Sequence, residues 1–315
     1  MNGHPFLRLL CLFVAKNPRL LHSPRASRTC CGRDARAPAA REKLLACLRG
    51  RVFLPAKLFM KTTLPPNPFK QALRAGRPQI GLWSSLCSNL TMEIIAGAGF
   101  DWLLIDTEHA PNELPAVFNH LQACVGGTAS PVVRVAWNDA ILFKRFLDIG
   151  TQNFLVPWVQ NADEARAAVR ATRYPPQGMR GVAVTHRANQ WGRVTDYYQR
   201  ANDEVCVLVQ LETRAALAQI EAIGAVEGVD GLFIGPSDLA ADMGHLGNNR
   251  HPDVKALIEE SLPRILKTGK AAGILAPVEE DAKHWLKLGF NFVAVGSDLG
   301  ILARGSEALA AKFKS

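Results

Sequence analysis

Residues 131–150, PVVRVAWNDAILFKRFLDIG, contain one full copy of the pattern that decides the fold. The apolar run at 131–136 predicts a strand. Asn138 is expected to cap a helix that reaches Ile149, and Gly150 ends that helix. A strand followed directly by a helix is the repeating unit of parallel α/β proteins.

The same pattern recurs from residue 80 to the end of the chain. Eight apolar runs predict strands at 80–86, 102–105, 131–136, 154–159, 205–211, 231–234, 272–276 and 292–295. Helices are predicted at 91–98, 114–124, 138–149, 162–172, 213–223, 252–266, 279–288 and 299–313. Most runs lack strict alternation, as expected of parallel strands covered on both faces. No GxGxxG follows the first strand, so a single (β/α)8 TIM barrel is favoured over an open dinucleotide-binding sheet.

The positive charge of the chain is concentrated near its amino terminus. The whole chain carries 37 Lys and Arg against 28 Asp and Glu, but residues 1–60 hold 12 of the former and 2 of the latter. The remainder is nearly neutral, so neither a nucleic-acid surface nor a basic cluster is expected there. We predict a basic leader at 1–59, expected to be disordered, and a barrel domain at 60–315. An upstream start before Met60 is favoured over a targeting peptide.

The cysteines and the hydropathy of the chain indicate the kind of compartment in which it works. The seven cysteines show no CxxC spacing, which favours a reducing compartment. No run of eighteen uncharged apolar residues occurs, so no membrane span is expected. We therefore expect a cytoplasmic protein, or an organellar one if the leader is a transit peptide.

Polar residues follow several of the predicted strands, at the end of a barrel where active sites form. They are Asp106, Glu108 and His109 after the second strand, Arg134 on the third, Gln210 and Glu212 on the fifth, and Ser237 and Asp238 after the sixth. Trp83, at the end of the first strand, could line the same pocket. Arg180, in the loop GMRG (178–181), is expected to be solvated.

This set of side chains suits enolate formation beside a ketone. Glu212 and Asp238, on neighbouring strands, can bind one hard divalent cation. Arg134 can neutralise charge on a nearby oxygen, and His109 can transfer a proton near neutral pH. No lysine ends a predicted strand, which disfavours a Schiff base. For each residue taken alone, a helix cap or a structural ion pair is the competing interpretation.

Long blocks across residues 66–314 resemble the HpcH/HpaI aldolase family. The most specific are GAGFDWLLIDTEHAPN (97–112), LDIGTQNFLVP (147–157), CVLVQLET (206–213) and EGVDGLFIGPSDLAADMG (227–244). The resemblance implies a class II aldolase that cleaves a 4-hydroxy-2-oxoacid, such as 4-hydroxy-2-oxoheptane-1,7-dioate, to pyruvate and an aldehyde such as succinate semialdehyde. It also implies a place in the catabolism of aromatic compounds. Alternatives are a 2-dehydro-3-deoxy-sugar-acid aldolase of the glucarate or rhamnonate type and an acyl-CoA lyase.

The resemblance further implies roles for individual residues. His109 matches the family's proton acceptor, Arg134 the residue that stabilises the transition state, and Asp148 the aspartate that raises the basicity of the histidine. Thr107 departs from the family, which commonly has glycine beside this histidine, and that puts the accepted aldehyde in doubt.

The resemblance places the metal and pyruvate sites next to each other. It implies that Glu212 and Asp238 bind Mg²⁺ or Mn²⁺, with Co²⁺ tolerated. Gln210 and the backbone at Ser237 and Asp238 would bind pyruvate. Family members form homo-hexamers that exchange the last helix, here 299–313.

Two rival functions differ in what they need from the chain. An acyl-CoA lyase needs a basic site for the nucleotide, and the body shows no basic cluster in sequence. An inert barrel tethered by its leader to nucleic acid or an anionic membrane needs no catalytic residues, yet all the candidates are present.

Overall fold

Eight parallel strands close into a barrel in the computed structural model, which describes residues 62–314. Each strand is hydrogen-bonded to the strands before and after it in the chain, and β8 pairs with β1. The predicted (β/α)8 barrel is therefore confirmed. The predictions for the leader lie outside the described residues.

All eight predicted strands are present, with ends shifted by a few residues. The strands are β1 Gln79–Ser84, β2 Trp102–Asp106, β3 Ser130–Arg134, β4 Asn153–Val156, β5 Cys206–Leu211, β6 Gly231–Ile234, β7 Ala271–Leu275 and β8 Phe292–Ser297. The helices are α1 Pro68–Arg74, α2 Asn89–Ala96, α3 Leu114–Ala123, α4 Ala140–Asp148, α5 Ala162–Thr172, α6 Tyr197–Glu204, α7 Arg214–Ala218, α8 Ile220–Gly224, α9 Pro236–Asp242, α10 Pro252–Lys267, α11 Glu279–Leu288 and α12 Asp298–Lys314.

Two local predictions about helices are wrong, and two helices are missed. Asp139, not Asn138, caps α4, because its carboxylate accepts hydrogen bonds from the backbone N–H groups of Ile141 and Leu142 at 2.6 and 3.4 Å. The helix expected at 213–223 is divided at Gln219 into α7 and α8. Helices α6 and α9 are not predicted from the sequence. Both are short and flanked by loops, where the apolar spacing of a helix is hard to see.

Helix α1 closes the amino-terminal end of the barrel. Its Phe69 lies among the side chains inside the barrel, with ring centroids 5.9 Å from Trp102 and 6.4 Å from Phe292. Asn67 caps the helix by accepting from the N–H of Lys70 at 3.1 Å, and its amide donates to Asn153 Oδ1 at 2.7 Å. Helix α1, called the plug below, is thus joined to β4 by a buried hydrogen bond. Because the plug closes the amino-terminal end, the open end of the barrel is the one at the carboxyl ends of the strands.

The plug also brings cationic side chains together. A basic cleft, lined by Lys70, Arg74, Arg166, Arg170 and Arg173, lies between α1 and α5. The sequence-based expectation that the body has no basic cluster is therefore wrong, because residues about a hundred positions apart meet here. None of the described helices is both long and apolar enough to cross a membrane.

Candidate active site

The ends of β2 and β3 hold a buried ion pair. Asp106 and Arg134 are register partners, and the guanidinium Nε and Nη2 donate to the two carboxylate oxygens at 3.0 and 2.7 Å. Trp83 donates its indole N–H to Asp106 Oδ2 at 3.2 Å, and the Arg134 guanidinium lies 5.0 Å from the Trp83 ring centroid. A bidentate pair of this kind fixes the plane of the guanidinium.

The carboxylate of Asp106 stays charged despite its burial. Burial alone would raise the pKa of Asp106, but hydrogen bonds and charge from Arg134, together with the backbone N–H groups of His109 and Glu108, lower it. Those two N–H groups donate to Oδ1 at 3.2 and 3.0 Å. Asp106 therefore sets the position of Arg134 and shapes the turn that carries His109.

Glu212 lies at the end of β5, almost completely buried at 2% exposure. Its Oε2 accepts from the backbone N–H of Trp158 at 2.9 Å, and its Oε1 accepts from the Gln210 amide. Gly235, just after β6, makes room for it, since a Cβ there would stand 2.7 Å from Glu212 Oε1. The carboxylate is thus held by two strands and the loop after β4.

Several carboxylates face one another at this opening. Burial raises the pKa of Glu212 to about 7, the Trp158 N–H lowers it, and the charges of Asp238 and Glu108 raise it. Burial also raises the pKa of Glu108, although Arg134, whose Nη1 lies 3.0 Å from Glu108 Oε2, opposes the shift. Negative charge here exceeds what one arginine offsets, which is the electrostatic setting for a bound cation.

Asp238 and Ser237 occupy the first turn of α9, directly after Gly235. Ser237 Oγ accepts from the side-chain amide of Asn249 at 3.2 Å and faces solvent. Pro236 starts the helix, so the next backbone N–H groups point outward from its amino end. Such groups favour an anion, and the predicted pyruvate position lies beside them.

Oxygen donors for a hard cation are therefore available from β5 and α9. Glu212 and Asp238 supply carboxylates, and the buried Oε1 of Gln210 has no hydrogen-bond partner among residues 62–314. Carboxylate and amide oxygens are the donors preferred by Mg²⁺ and Mn²⁺.

His109 follows β2 at the rim of the same opening. Its side chain is 65% exposed, and its Nε2 lies 3.8 Å from Glu108 Oε1. The neighbouring Thr107 donates its hydroxyl to the backbone oxygen of Arg134 at 2.6 Å. The threonine that departs from the family pattern therefore strengthens the link between β2 and β3, and its side chain points at backbone.

Asp148 lies at the opposite end of the barrel, because α4 runs back from the carboxyl end of β3 and Asp148 is its last residue. Its Oδ1 accepts from Arg180 Nη2 at 3.0 Å. Asp148 and His109 of one chain therefore do not contact each other, and the predicted effect of Asp148 on the basicity of His109 stays a prediction. The prediction that Arg180 is solvated is wrong. Its side chain is buried, and its guanidinium carbon lies 4.3 Å from the Tyr174 ring centroid.

A second group of metal-capable side chains lies elsewhere, at the start of α10. One ligand atom from each of His245, His251 and Asp253 lies within 4.8 Å of the others. The two imidazole rings stack with centroids 3.6 Å apart, and His251 Nδ1 accepts from the Asp253 N–H at 3.2 Å. These contacts already account for the group as a helix cap.

The sequence misses several contributors to the site. Asp106 and Glu108 are candidates there but receive no specific role, and Trp158 is not considered. A signal exists for Asp106, since an acid ending one strand beside an arginine ending the next is in position to pair with it. No signal marks Trp158, whose backbone N–H reaches Glu212 only because the loop after β4 folds over β5.

Comparison with known proteins agrees with this geometry. Residues 79–304 match the family model described as HpcH/HpaI aldolase/citrate lyase. A 4-hydroxy-2-oxo-heptane-1,7-dioate aldolase of Klebsiella pneumoniae subsp. pneumoniae is 60% identical over 248 residues, 78% of this chain and 94% of that protein. One of the same name from Escherichia coli is 59% identical, covering 78% and 95%.

A solved structure of a related protein has the same fold as this chain. An HpcH/HpaI aldolase/citrate lyase family protein from Burkholderia cenocepacia J2315 is 41% identical, with a TM-score of 0.77, covering 79% of this chain and 100% of that one. The family-model match, residues 79–304, includes Arg134, Glu212 and Asp238. The chain belongs to the HpcH/HpaI aldolase/citrate lyase family and is a carbon–carbon lyase of the aldolase type.

Proposed function

We propose that this chain is a metal-dependent class II aldolase that cleaves a 4-hydroxy-2-oxoacid to pyruvate and an aldehyde. The observation that carries the proposal is the buried Glu212 carboxylate, which faces the carboxylates of Asp238 and Glu108 beside Arg134. The names of the curated relatives make 4-hydroxy-2-oxoheptane-1,7-dioate the first substrate to test, with succinate semialdehyde as the aldehyde product.

The proposed cation is Mg²⁺ or Mn²⁺, with Co²⁺ as a substitute. Glu212 and Asp238 would hold it, and the exposed part of the opening leaves room for substrate oxygens. When bound, a divalent cation supplies Lewis-acid polarisation of a keto group. The site lacks a lysine at any of the eight strand ends, so a covalent Schiff base is not part of the proposal.

The chain's own residues provide the remaining steps. His109 accepts the proton of the 4-hydroxyl group, the C3–C4 bond breaks to release the aldehyde, and the bonding electrons form the enolate of pyruvate. Arg134, whose plane is fixed by Asp106, stabilises the negative oxygen that develops. Gln210 and the first turn of α9 hold the carboxylate end of the substrate. Protonation at C3 completes pyruvate.

A substrate panel tests this proposal. The purified protein, stripped with a chelator and resupplied with Mg²⁺, Mn²⁺ or Co²⁺, is incubated with 4-hydroxy-2-oxoheptane-1,7-dioate, 2-dehydro-3-deoxyglucarate, 2-dehydro-3-deoxyrhamnonate and citramalyl-CoA. Pyruvate is detected by a coupled assay. Pyruvate from the first substrate, only with metal, is expected. Activity that survives exhaustive chelation, or cleavage of the CoA ester alone, would contradict the proposal.

We further propose that the protein is a cytoplasmic homo-hexamer in which α12 packs on a neighbouring copy. Within this chain only Asp298 of α12 is buried, and Leu299, Ile301, Leu302, Leu309 and Phe313 are all exposed. An apolar helix face of this kind marks an interaction surface. The action of Asp148 on His109 would then come from a second copy, since the two lie at opposite ends of one barrel. Light scattering of the wild-type chain and of one ending at residue 297 tests the assembly.

A further inference from the structure

The basic cleft at the amino-terminal end of the barrel has the size and charge of a small-molecule site. Its volume is about 660 Å³, within the range of clefts that hold ligands. It lies between α1, the carboxyl end of α5 and the segment that precedes β6. The carboxylates of the active site are at the other end of the strands, so a molecule bound here would not take part in the aldolase reaction.

Arg173 is the residue that most needs a partner in this cleft. It is only 8% exposed, yet within residues 62–314 its guanidinium makes neither a hydrogen bond nor an ion pair. Its neighbours Lys70 and Arg74 differ in this respect, because they share the carboxylate of Asp230 at 3.4 and 3.5 Å. Buried charged groups are ordinarily paired, so an unpaired guanidinium lining a cleft points to an external partner.

The carboxylates around the cleft leave Arg173 without a direct partner among the described residues. Asp230 is already shared, and Arg166 is paired with Asp163 at 2.5 Å on the surface. The remaining acids on the lining, Asp203 and Glu227, are exposed. Burial lowers the pKa of Arg173 although Asp230 and Asp203 act to raise it, which shows that nearby acids do not make up for its lost solvation.

We propose that the basic cleft binds a small polyanion, a molecule with two or more phosphate or carboxylate groups, and that Arg173 is its anchor. A single buried guanidinium can bind one such group with two parallel hydrogen bonds. Arg170, exposed on the preceding turn of α5, and Arg74, exposed on α1, are placed to contact a second group. The alternative, that the arginines only complement the end of α5, leaves the buried guanidinium unbonded.

Calorimetric titration of the full chain tests this assignment without using the aldolase activity. The probes are inorganic phosphate, pyrophosphate and tricarballylate, each added at low and at physiological ionic strength to protein freed of metal on a chelating resin. Pyrophosphate or tricarballylate should bind more tightly than phosphate, and the stronger of the two identifies phosphate or carboxylate as the natural group. Because metal is absent, the result is independent of the proposed active site.

Three variants make the test specific. Arg173→Met, which keeps the apolar stem of the side chain, and Arg170→Gln should each weaken polyanion binding, Arg173→Met by at least about tenfold. Arg193→Gln removes one exposed positive charge outside the cleft and should change binding less than about twofold. If Arg173→Met does not fold, Arg170→Gln decides. The proposal would be overturned if the wild-type chain bound none of the probes. It would also be overturned if both cleft variants bound them as tightly as the wild type.

Discussion

The two ends of the barrel differ in the charge of the side chains that gather there. Carboxylates gather at the carboxyl end, and cationic side chains line the cleft at the amino end. Glu212 shares its opening with Asp238 and Glu108. Arg173 shares its cleft with Lys70 and three further arginines. Both ends carry charge that neighbouring side chains do not neutralise, and such groups weaken folding unless a ligand is bound.

The comparison teaches which buried charges are structural and which are functional. The pair of Asp106 and Arg134 is bidentate and complete, and it positions the arginine. Glu212 has hydrogen-bond donors on both oxygens but still a raised pKa, as expected of a carboxylate that binds the proposed cation. The following predictions test this distinction, beginning with the largest effect.

Removing the charge of Glu212 should nearly abolish catalysis. Glu212→Gln keeps the shape of the side chain but loses the carboxylate, and we expect pyruvate formation to fall by about 10³, since Lewis-acid stabilisation contributes several kcal/mol. Glu260→Gln, an exposed change of the same kind on α10, is the control and should leave the rate unchanged. A Glu212→Gln enzyme within tenfold of wild type would refute the role.

Replacing Arg134 should act on the transition state. Arg134→Lys retains a positive charge, which lessens the cost of leaving Asp106 buried without a partner. Lysine cannot reproduce the planar, bidentate geometry, so kcat should fall by about 10² with a smaller change in KM. The comparison is made at equal folded fraction, judged by circular dichroism. A change confined to KM would assign the arginine to substrate binding alone.

The metal-free protein should lose stability as the pH rises. The pKa of Glu212 is raised from 4.5 to about 7 in the folded state, so its protonated form is favoured there. The stability contribution is fully present below pH 4.5 and is lost as pH rises towards 7, by about 3 kcal/mol in the unfolding free energy.

Urea unfolding at several pH values, with chelator present, measures this loss. Glu212→Gln should remove the pH dependence in this window, and added Mn²⁺ should restore the stability of the wild type at neutral pH. Wild-type and Glu212→Gln curves that run parallel from pH 4.5 to 8 would show that Glu212 is not the group responsible.

The smallest expected effect concerns the plug at the amino end. Asn67→Ala removes the cap of α1 and leaves Asn153 Oδ1 without its donor. We expect about 2 kcal/mol of lost stability and an unchanged kcat, because this network is far from the catalytic end. Unfolding curves and pyruvate assays on the same preparation separate the two effects. A fall in kcat matching that of Arg134→Lys would show that the ends are coupled.

Much of the fold could be predicted because the parallel strands are covered on both faces and read as short apolar runs. Glu212 and Asp238 become candidates in the same way, since each follows such a run within a few residues. What sequence spacing could not supply was long-range contact. Arg180 is expected from the sequence to be a solvated loop residue, but it is buried against Asp148 on α4, against Tyr174 and against Tyr197 on α6.

The basic cleft shows the same limit for charge. Its cations come from α1 and α5, which are about a hundred residues apart in sequence and adjacent only after α1 closes the barrel. A count of charges along the sequence combines these cations with neighbouring acids, so it does not reveal the cleft. Only the folded chain shows that Arg173 is largely buried and forms no ion pair with an acid among residues 62–314.

The central claim, that the carboxylates at the open end bind one divalent cation, is tested most directly by Mn²⁺ titration of the metal-free chain, followed by electron paramagnetic resonance. The account predicts one site per chain that Glu212→Gln weakens by at least about tenfold. His251→Ala, which alters the other group of metal-capable side chains, should leave that site intact. Mn²⁺ bound as tightly by Glu212→Gln as by wild type, or lost only in His251→Ala, would contradict it.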